Sequence, residues 1–372
     1  MHFHGVILFA APCGEETCAR AGVVRRRRIK SKHPQSHRTT MATIDSFPAF
    51  RIHNDDAGYR SGIETLSLDQ LSPGEVVVKA EWSSVNYKDA LAGTGKGRIL
   101  RRFPLVGGID VAGHVVASTA PGFREGDPVL VTGCGLSETR DGGYAAYARL
   151  PAEWVIALPR GLSLRESMVL GTAGFTAALA LYRMRENRQR PEFGPLAVTG
   201  ATGGVGSMAV AIFSKAGYEV HAISGKADQA GYLESLGAKE VLGRDALAAN
   251  RPLESVRFGG GLDNVGGPML VSLLAQTAPY GNVASAGLAA TPGLDALTVM
   301  PFILRGVSLL GIGSAGTARD IRDDIWALLA NEWKPAMLDA ICTREATLEE
   351  LPGVFDTMLA GGSLGRTVVR LP

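Results

Sequence analysis

The sequence predicts an α/β protein in which a small β-rich domain is interrupted by a parallel-sheet domain wound with helices on both faces. Three observations predict it. Short strands punctuated by Gly and Pro turns fill the region after Phe50. Strands and amphipathic helices alternate after Ser167. A glycine turn, Gly200 to Gly206, joins a buried strand to such a helix.

The 372 residues suffice for two ordinary domains. With 46% apolar and 20% charged residues, the chain can bury a substantial core. No apolar run approaches the ~18 residues of a membrane span. Residues 1–40 hold eight Lys/Arg against Glu15 and Glu16, which leaves the remainder with a net charge of −4. A mildly acidic body carries no nucleic-acid footprint. The cysteines are Cys13, Cys18, Cys134 and Cys342. They are few and scattered, as in a reduced protein without a disulfide framework.

The elements read in order. Residues 1–40 have a short apolar run and the basic block Arg25 to Arg28. A secretory signal would place the positive charge first. The segment is expected to be a disordered, dispensable extension, or to precede the true start at Met41. Glu75–Lys79, Gly113–Ala117 and Val129–Val131 read as strands of a small barrel. A helical stretch opens at Gly171, and Leu196–Thr199 is a buried strand. Val205, Met208, Ala209, Ile212, Phe213 and Ala216 form one helical stripe, ended by Gly217. Val220–Ile223, Val241–Leu242, Leu262–Val265 and Asn282–Ser285 continue the parallel strands around a helix at Tyr232–Leu236. After Arg305 come a strand at Val307–Ile312, a helix near Ile321–Leu329 and a final strand at Thr367–Arg370.

The turn Thr199-Gly-Ala-Thr-Gly-Gly-Val-Gly206 is the strongest single motif. Its glycines permit a tight turn, a close backbone approach to a pyrophosphate and close helix packing. The helix N-terminus then offers free N–H groups to the phosphates. Sites for NAD place an acid at the end of the second strand, on the ribose 2′-OH. Here that place reads Ile223-Ser224-Gly225-Lys226, without an acid. Ser224 can hydrogen-bond a 2′-phosphate, and Lys226 and Arg244 can neutralise it. The expected cofactor is therefore NADPH. No metal site is expected: Cys134 and Cys342 stand far apart, and His114 and His221 lie within strands, where packing or hydrogen bonding accounts for them. Without a Lewis acid, an activated alkene is a better substrate than an alcohol.

Trp82 to Leu91, Gly95 to Ile99, Phe103 to Gly113, Gly171 to Thr176 and Met300 to Arg305 closely resemble the acrylyl-CoA reductase (NADPH) branch of the zinc-free, quinone-oxidoreductase-like medium-chain dehydrogenase/reductase superfamily. The resemblance runs from about Ile44 to the C-terminus. It implies a GroES-like catalytic domain over 41–166, a Rossmann NADPH domain over 167–305, and a return to the catalytic domain over 306–372. It also implies a cytoplasmic homodimer with the active site between the domains. By matching positions, Tyr87, Thr202, Gly203, Gly204, Val205, Gly206, Ser224, Gly225, Lys226, Arg244, Leu288, Ile303 and Ser314 would touch NADPH. Lys226 stands where some relatives carry Arg, and Ala360 to Ser363 lacks an amide that relatives use.

The reaction then expected is reduction of the 2,3 double bond of a short enoyl-CoA, acryloyl-CoA to propanoyl-CoA. Tyr87, Asn86 and Asp89 are the catalytic candidates, because they occupy the segment that supplies ligands in zinc relatives. Asp89 is equally suited to cap a helix start. Lys96, Arg98, Arg101 and Arg102 could meet the CoA phosphates. The competing readings are an NADPH quinone or enone oxidoreductase and a catalytically idle nucleotide-binding protein.

Overall fold

The computed structural model describes residues 45–372. The extension at 1–40 and the start at Met41 lie outside the described residues.

The β-rich half begins with a hairpin. β1 (Phe47–Asp55) and β2 (Gly58–Leu66) pair antiparallel, with Gly58 taking the positive φ of 90° that closes the turn. β3 (Val76–Val85) is the long central strand, and α1 (Tyr87–Thr94) follows it directly. β4 (Leu105–Val106) completes a three-stranded sheet in the order β2-β1-β4. β5 (Asp110–Ser118), β6 (Pro128–Thr132), β7 (Tyr147–Leu150) and β8 (Ile156–Ala157) are the other strands of this half before the chain crosses over. Phe50, Tyr144 and Phe355 fill its core, with ring centroids 5.8–6.3 Å apart.

α2 (Leu164–Glu186) leads into the second half. Ser163 and Glu166 form a reciprocal capping box at its start, so the helix begins before the glycine at 171 where the sequence pattern placed it. Gly171 breaks the helix with φ 50° and ψ −158°. The break turns the Thr172 N–H sideways to Asp110 Oδ2, at 2.9 Å.

β9 (Leu196–Thr199), α3 (Gly204–Lys215), β10 (Val220–Ile223), α4 (Ala230–Ser235), β11 (Glu240–Leu242), β12 (Phe258–Asp263), α5 (Gly267–Ala275), β13 (Thr277–Ser285), α6 (Met300–Arg305) and β14 (Ser308–Gly311) alternate as expected. The sheet order is β11-β10-β9-β12-β13-β14, all parallel. Counted from β9, this is the dinucleotide-fold order 3-2-1-4-5-6. Its crossing point lies between β9 and β12, where the order reverses. β14 lies beyond the boundary expected at 305, because Asn282 to Ser285 offer Ser308 to Gly311 a parallel edge.

α7 (Arg319–Ala330) also packs on this half, with Ile325, Trp326 and Leu329 in its core. The chain rejoins the barrel later, through α8 (Leu338–Ile341), β15 (Cys342–Ala346), α9 (Leu351–Leu359) and β16 (Arg366–Arg370). β15 and β16 extend the barrel sheet as β15-β16-β3-β5-β6-β8, with β7 also on β3. No described helix is long and apolar enough to cross a membrane.

Candidate active site

The glycine turn sits at the carboxyl end of β9, beside the sheet's crossing point. α3 starts at Gly204 with Gly203 as N-cap, and no side chain caps its first amides. Those N–H groups are left for an anion. A side chain at Gly206 would place Cβ 2.3 Å from the Gly200 carbonyl oxygen, so the turn closes only on glycine. A Cβ at Gly203 would meet one neighbour, the same oxygen at 3.3 Å, a tight contact that a shift of a few tenths of an ångström relieves.

Next to the turn, Ser224 ends β10 and accepts from the Lys226 N–H at 3.0 Å, which leaves its hydroxyl proton free. The Arg244 guanidinium lies against Gly225, where a Cβ would stand 2.5 Å from Nε. Lys226 Nζ donates to the Ser363 carbonyl at 2.7 Å, and the Gly365 N–H donates to the Thr202 carbonyl at 2.9 Å. The loop from Ala360 to Gly365 thus touches both phosphate-facing segments through its backbone. These residues fit a dinucleotide with a 2′-phosphate: a glycine cradle, a free hydroxyl and two cations. Leu288 and Ile303 are exposed, while Ser314 is half-buried, with its hydroxyl 2.8 Å from that of Thr176.

The other side of the cleft is built on α1. Asn86 is its N-cap, and Asp89 closes the capping box by accepting from the Asn86 N–H at 2.9 Å. Asp89 also accepts from the Asn86 amide at 3.2 Å and from the Ile109 N–H at 2.9 Å. It is 1% exposed. Burial, and then the nearby Asp110 charge, push its carboxyl up to about 7 against those three donors. Tyr87, the first helical residue, is 45% exposed. Of the three catalytic candidates, it alone stands open. Lys88 turns away to Glu138 at 2.6 Å, so Asp89 does not orient it.

Two residues that the sequence reading gave no role in the site complete the arrangement. Asp110, fully buried, accepts from Ser84 (2.6 Å), Asn86 Nδ2 (2.8 Å), the Thr172 N–H (2.9 Å) and the Thr172 hydroxyl (2.5 Å). Arg366, also buried, donates to the carbonyls of Val85 and Val169, to Ser84 Oγ and to Asn86 Oδ1. It also faces Asp110 at 3.9 Å. Its Nη1 lies 3.2 Å from where a Gly204 Cβ would stand. One guanidinium therefore holds the Asn86 cap and stands beside the first residue of α3. No local pattern announced Arg366; an arginine inside the alternating Arg366-Thr-Val-Val-Arg370 strand was the only signal.

Among the described residues, no group of three or more His, Cys, Asp and Glu side chains is placed to hold a metal ion. His114 pairs with Glu81, and His221 lies between Glu219 and Glu240. Of the basic stretch, Arg101 pairs with Glu138 and Arg102 donates to Ser72, while Lys96 and Arg98 are exposed.

A barrel packed on a six-stranded dinucleotide sheet, with the cradle facing a polar helix start, defines a two-domain dehydrogenase/reductase. Residues 72–160 match the alcohol dehydrogenase GroES-like domain family, and residues 204–331 match the zinc-binding dehydrogenase family. The chain belongs to the medium-chain dehydrogenase/reductase superfamily, in the branch of acrylyl-CoA reductases and quinone-oxidoreductase-like proteins. It is 44% identical to the acrylyl-CoA reductase AcuI of Ruegeria pomeroyi, over 87% of this chain and 98% of that one. It is 45% identical to the quinone-oxidoreductase-like protein YhfP of Bacillus subtilis, over 89% and 100%. The Salmonella enterica yhdH oxidoreductase, solved in complex with NADP, superposes with a TM-score of 0.84 at 44% identity, over 87% of this chain and 100% of that one. The yhfP structure, solved with NAD bound, gives 0.84 at 43%, over 88% and 99%.

Proposed function

We propose that the protein is an NADPH-dependent, metal-independent reductase of the 2,3 double bond of a short enoyl-CoA. The observation that carries this reading is the Arg366 guanidinium, which holds the helix start that presents Tyr87 and stands beside the first residue of α3, at the glycine turn. The cradle, Ser224, Lys226 and Arg244 would hold NADPH, which would supply the hydride for the substrate's β-carbon. Negative charge then builds on the thioester oxygen, and a proton at the α-carbon completes the saturated thioester. A donor placed in advance favours that charge. The Tyr87 hydroxyl is the open donor at this edge of the cleft.

Asn86 and Asp89 act behind Tyr87: they fix the first turn of α1 and hence the direction of its side chain. Asp110 and Arg366 hold Asn86 in turn. Asp110 already receives four donors, and among the described residues no group of three or more His, Cys, Asp and Glu side chains is placed to hold a metal ion with it. Catalysis should therefore survive exhaustive chelation. Lys96 and Arg98 are the exposed cations nearest α1 in the chain and the candidates for the CoA phosphates. A cytoplasmic homodimer completes the proposal.

The test is NADPH oxidation with acryloyl-CoA, crotonyl-CoA and a quinone in parallel. Acryloyl-CoA should have the highest kcat/KM and should exceed free acrylate strongly. Tyr87→Phe should lower kcat with the fold intact. The likeness to YhfP favours a second reading, a quinone or enone reductase, and faster quinone reduction would establish it instead.

A further inference from the structure

A second buried arginine stands outside the network of Arg366. Arg322, on α7, is 2% exposed. Its Nη1 donates to the Thr132 carbonyl at 2.9 Å and lies 3.2 Å from the Thr132 hydroxyl, at the end of β6 in the barrel sheet. Its Nη2 donates to the carbonyls of Ser314 (2.9 Å) and Ala315 (3.3 Å), just past β14 of the parallel sheet. The guanidinium carbon lies 4.6 Å from the Phe175 ring centre. These partners are carbonyls, a hydroxyl and an aromatic face, and none is a carboxylate. A buried cation without an ion pair is costly, and packing alone would be served as well by an apolar side chain. What the fork supplies is a fixed bridge between two segments.

The bridged segments belong to the two halves of the cleft. The Ser314–Ala315 turn also meets the same barrel segment directly, where the Cys134 N–H donates to the Ala315 carbonyl at 3.2 Å. The Ser314 hydroxyl meets Thr176, whose own hydroxyl reaches the Thr172 carbonyl at 2.7 Å; Thr172 in turn binds Asp110. So the turn adjoins the Tyr87 side of the site. It is four strand spacings from the 2′-phosphate pocket, about 19 Å across the sheet.

We propose that Arg322 is a positioning residue for the nicotinamide end of the cofactor, holding the Ser314–Ala315 turn in place from Thr132 across the cleft. The inference rests on the reading of Ser314 as a cofactor contact. It predicts a divided effect. Loosening the turn weakens the hold on the nicotinamide end and leaves the adenosine end as it was.

The experiment is calorimetric titration of the full chain and its Arg322 variants with NADPH and, separately, with adenosine 2′,5′-bisphosphate, which lacks the nicotinamide. Arg322→Met should weaken NADPH binding by about tenfold or more, while the bisphosphate stays within about twofold. Arg322→Lys should fall between, because an ammonium reaches one side of the bridge and not both. It gives the same ratio should the methionine variant fail to fold. Parallel loss for both ligands would make Arg322 a general structural support and overturn the proposal, as would no loss for either. Failure of the unmodified protein to bind NADPH at all would instead overturn the cofactor reading on which the proposal stands.

Discussion

Asp89 gives the site its clearest pH dependence. Its carboxyl is pushed up to about 7 from the ordinary 3.8, first by burial and then by Asp110. A carboxyl raised on folding binds its proton more tightly in the native state. Its contribution to stability is fully present below about pH 4 and is lost as pH rises toward 7, a few kcal/mol in all. Asp89→Asn removes that slope. It also leaves one of the three N–H donors facing an amide NH2 group, a fixed cost of about 1–3 kcal/mol. Urea unfolding should therefore show a larger deficit for the variant at pH 5 than at pH 8; an equal deficit at both would count against a raised carboxyl. At the same scale, Lys226→Glu sets a carboxylate against the expected 2′-phosphate and removes the contact with Ser363. It should lower kcat/KM for NADPH by more than about tenfold relative to NADH. Comparable efficiency of the unmodified protein with both cofactors would remove the basis for this expectation.

At the scale of elements, the glycine turn and the α2 break make separable demands on glycine. Gly203 has an ordinary φ of −78° and only one close neighbour for an added Cβ, at 3.3 Å, so alanine needs a small shift of the turn while its methyl group stands where a phosphate is expected to approach. Gly203→Ala should keep its melting temperature and lose NADPH affinity, as titration would show. Gly171 is different. A Cβ there would meet Asp110 Oδ2, Arg366 Nη2 and Ser84 Oγ at 2.7–2.8 Å, and φ 50° with ψ −158° is strained for any L-residue. Gly171→Ala should cost at least about 3 kcal/mol in urea unfolding; near-normal stability would mean that the break is not needed. Much of this was legible in the sequence. Periodicity placed Leu196–Thr199 and Val220–Ile223 residue for residue, and glycine spacing found the turn that joins β9 to α3, because those signals are local. Ser163 and Glu166 carried a legible cap signal that the reading passed over in favour of Gly171. Arg366 was not legible at all. Its meaning comes from Val85, Asn86 and Val169, which are distant in sequence and meet it only in the folded chain. The place of β14 was hidden for the same reason, since only pairing decides which sheet a short apolar strand joins.

At the scale of the whole molecule, the two edges of the parallel sheet differ in a way that bears on assembly. β11 is three residues long and bears Glu240, with His221 and Glu219 alongside, a short and charged edge. Such edges resist pairing with another chain. β14, Ser-Leu-Leu-Gly, bears no charge and, among the described residues, has no strand on its outer side. Tyr280, Ile303 and Leu304 nearby are 74%, 71% and 61% exposed. Closely grouped exposed apolar side chains beside an open edge favour association, and a twofold arrangement closes it without further growth. The proposed homodimer is therefore expected to form across β14. Sedimentation at micromolar concentration should give twice the chain mass. Leu304→Arg places a charge among these exposed apolar side chains, and the exposed position leaves the monomer's core untouched. That variant should sediment as a monomer with an unchanged far-ultraviolet dichroism spectrum. A wild-type chain that stays monomeric throughout the micromolar range would rule out β14 as a stable interface.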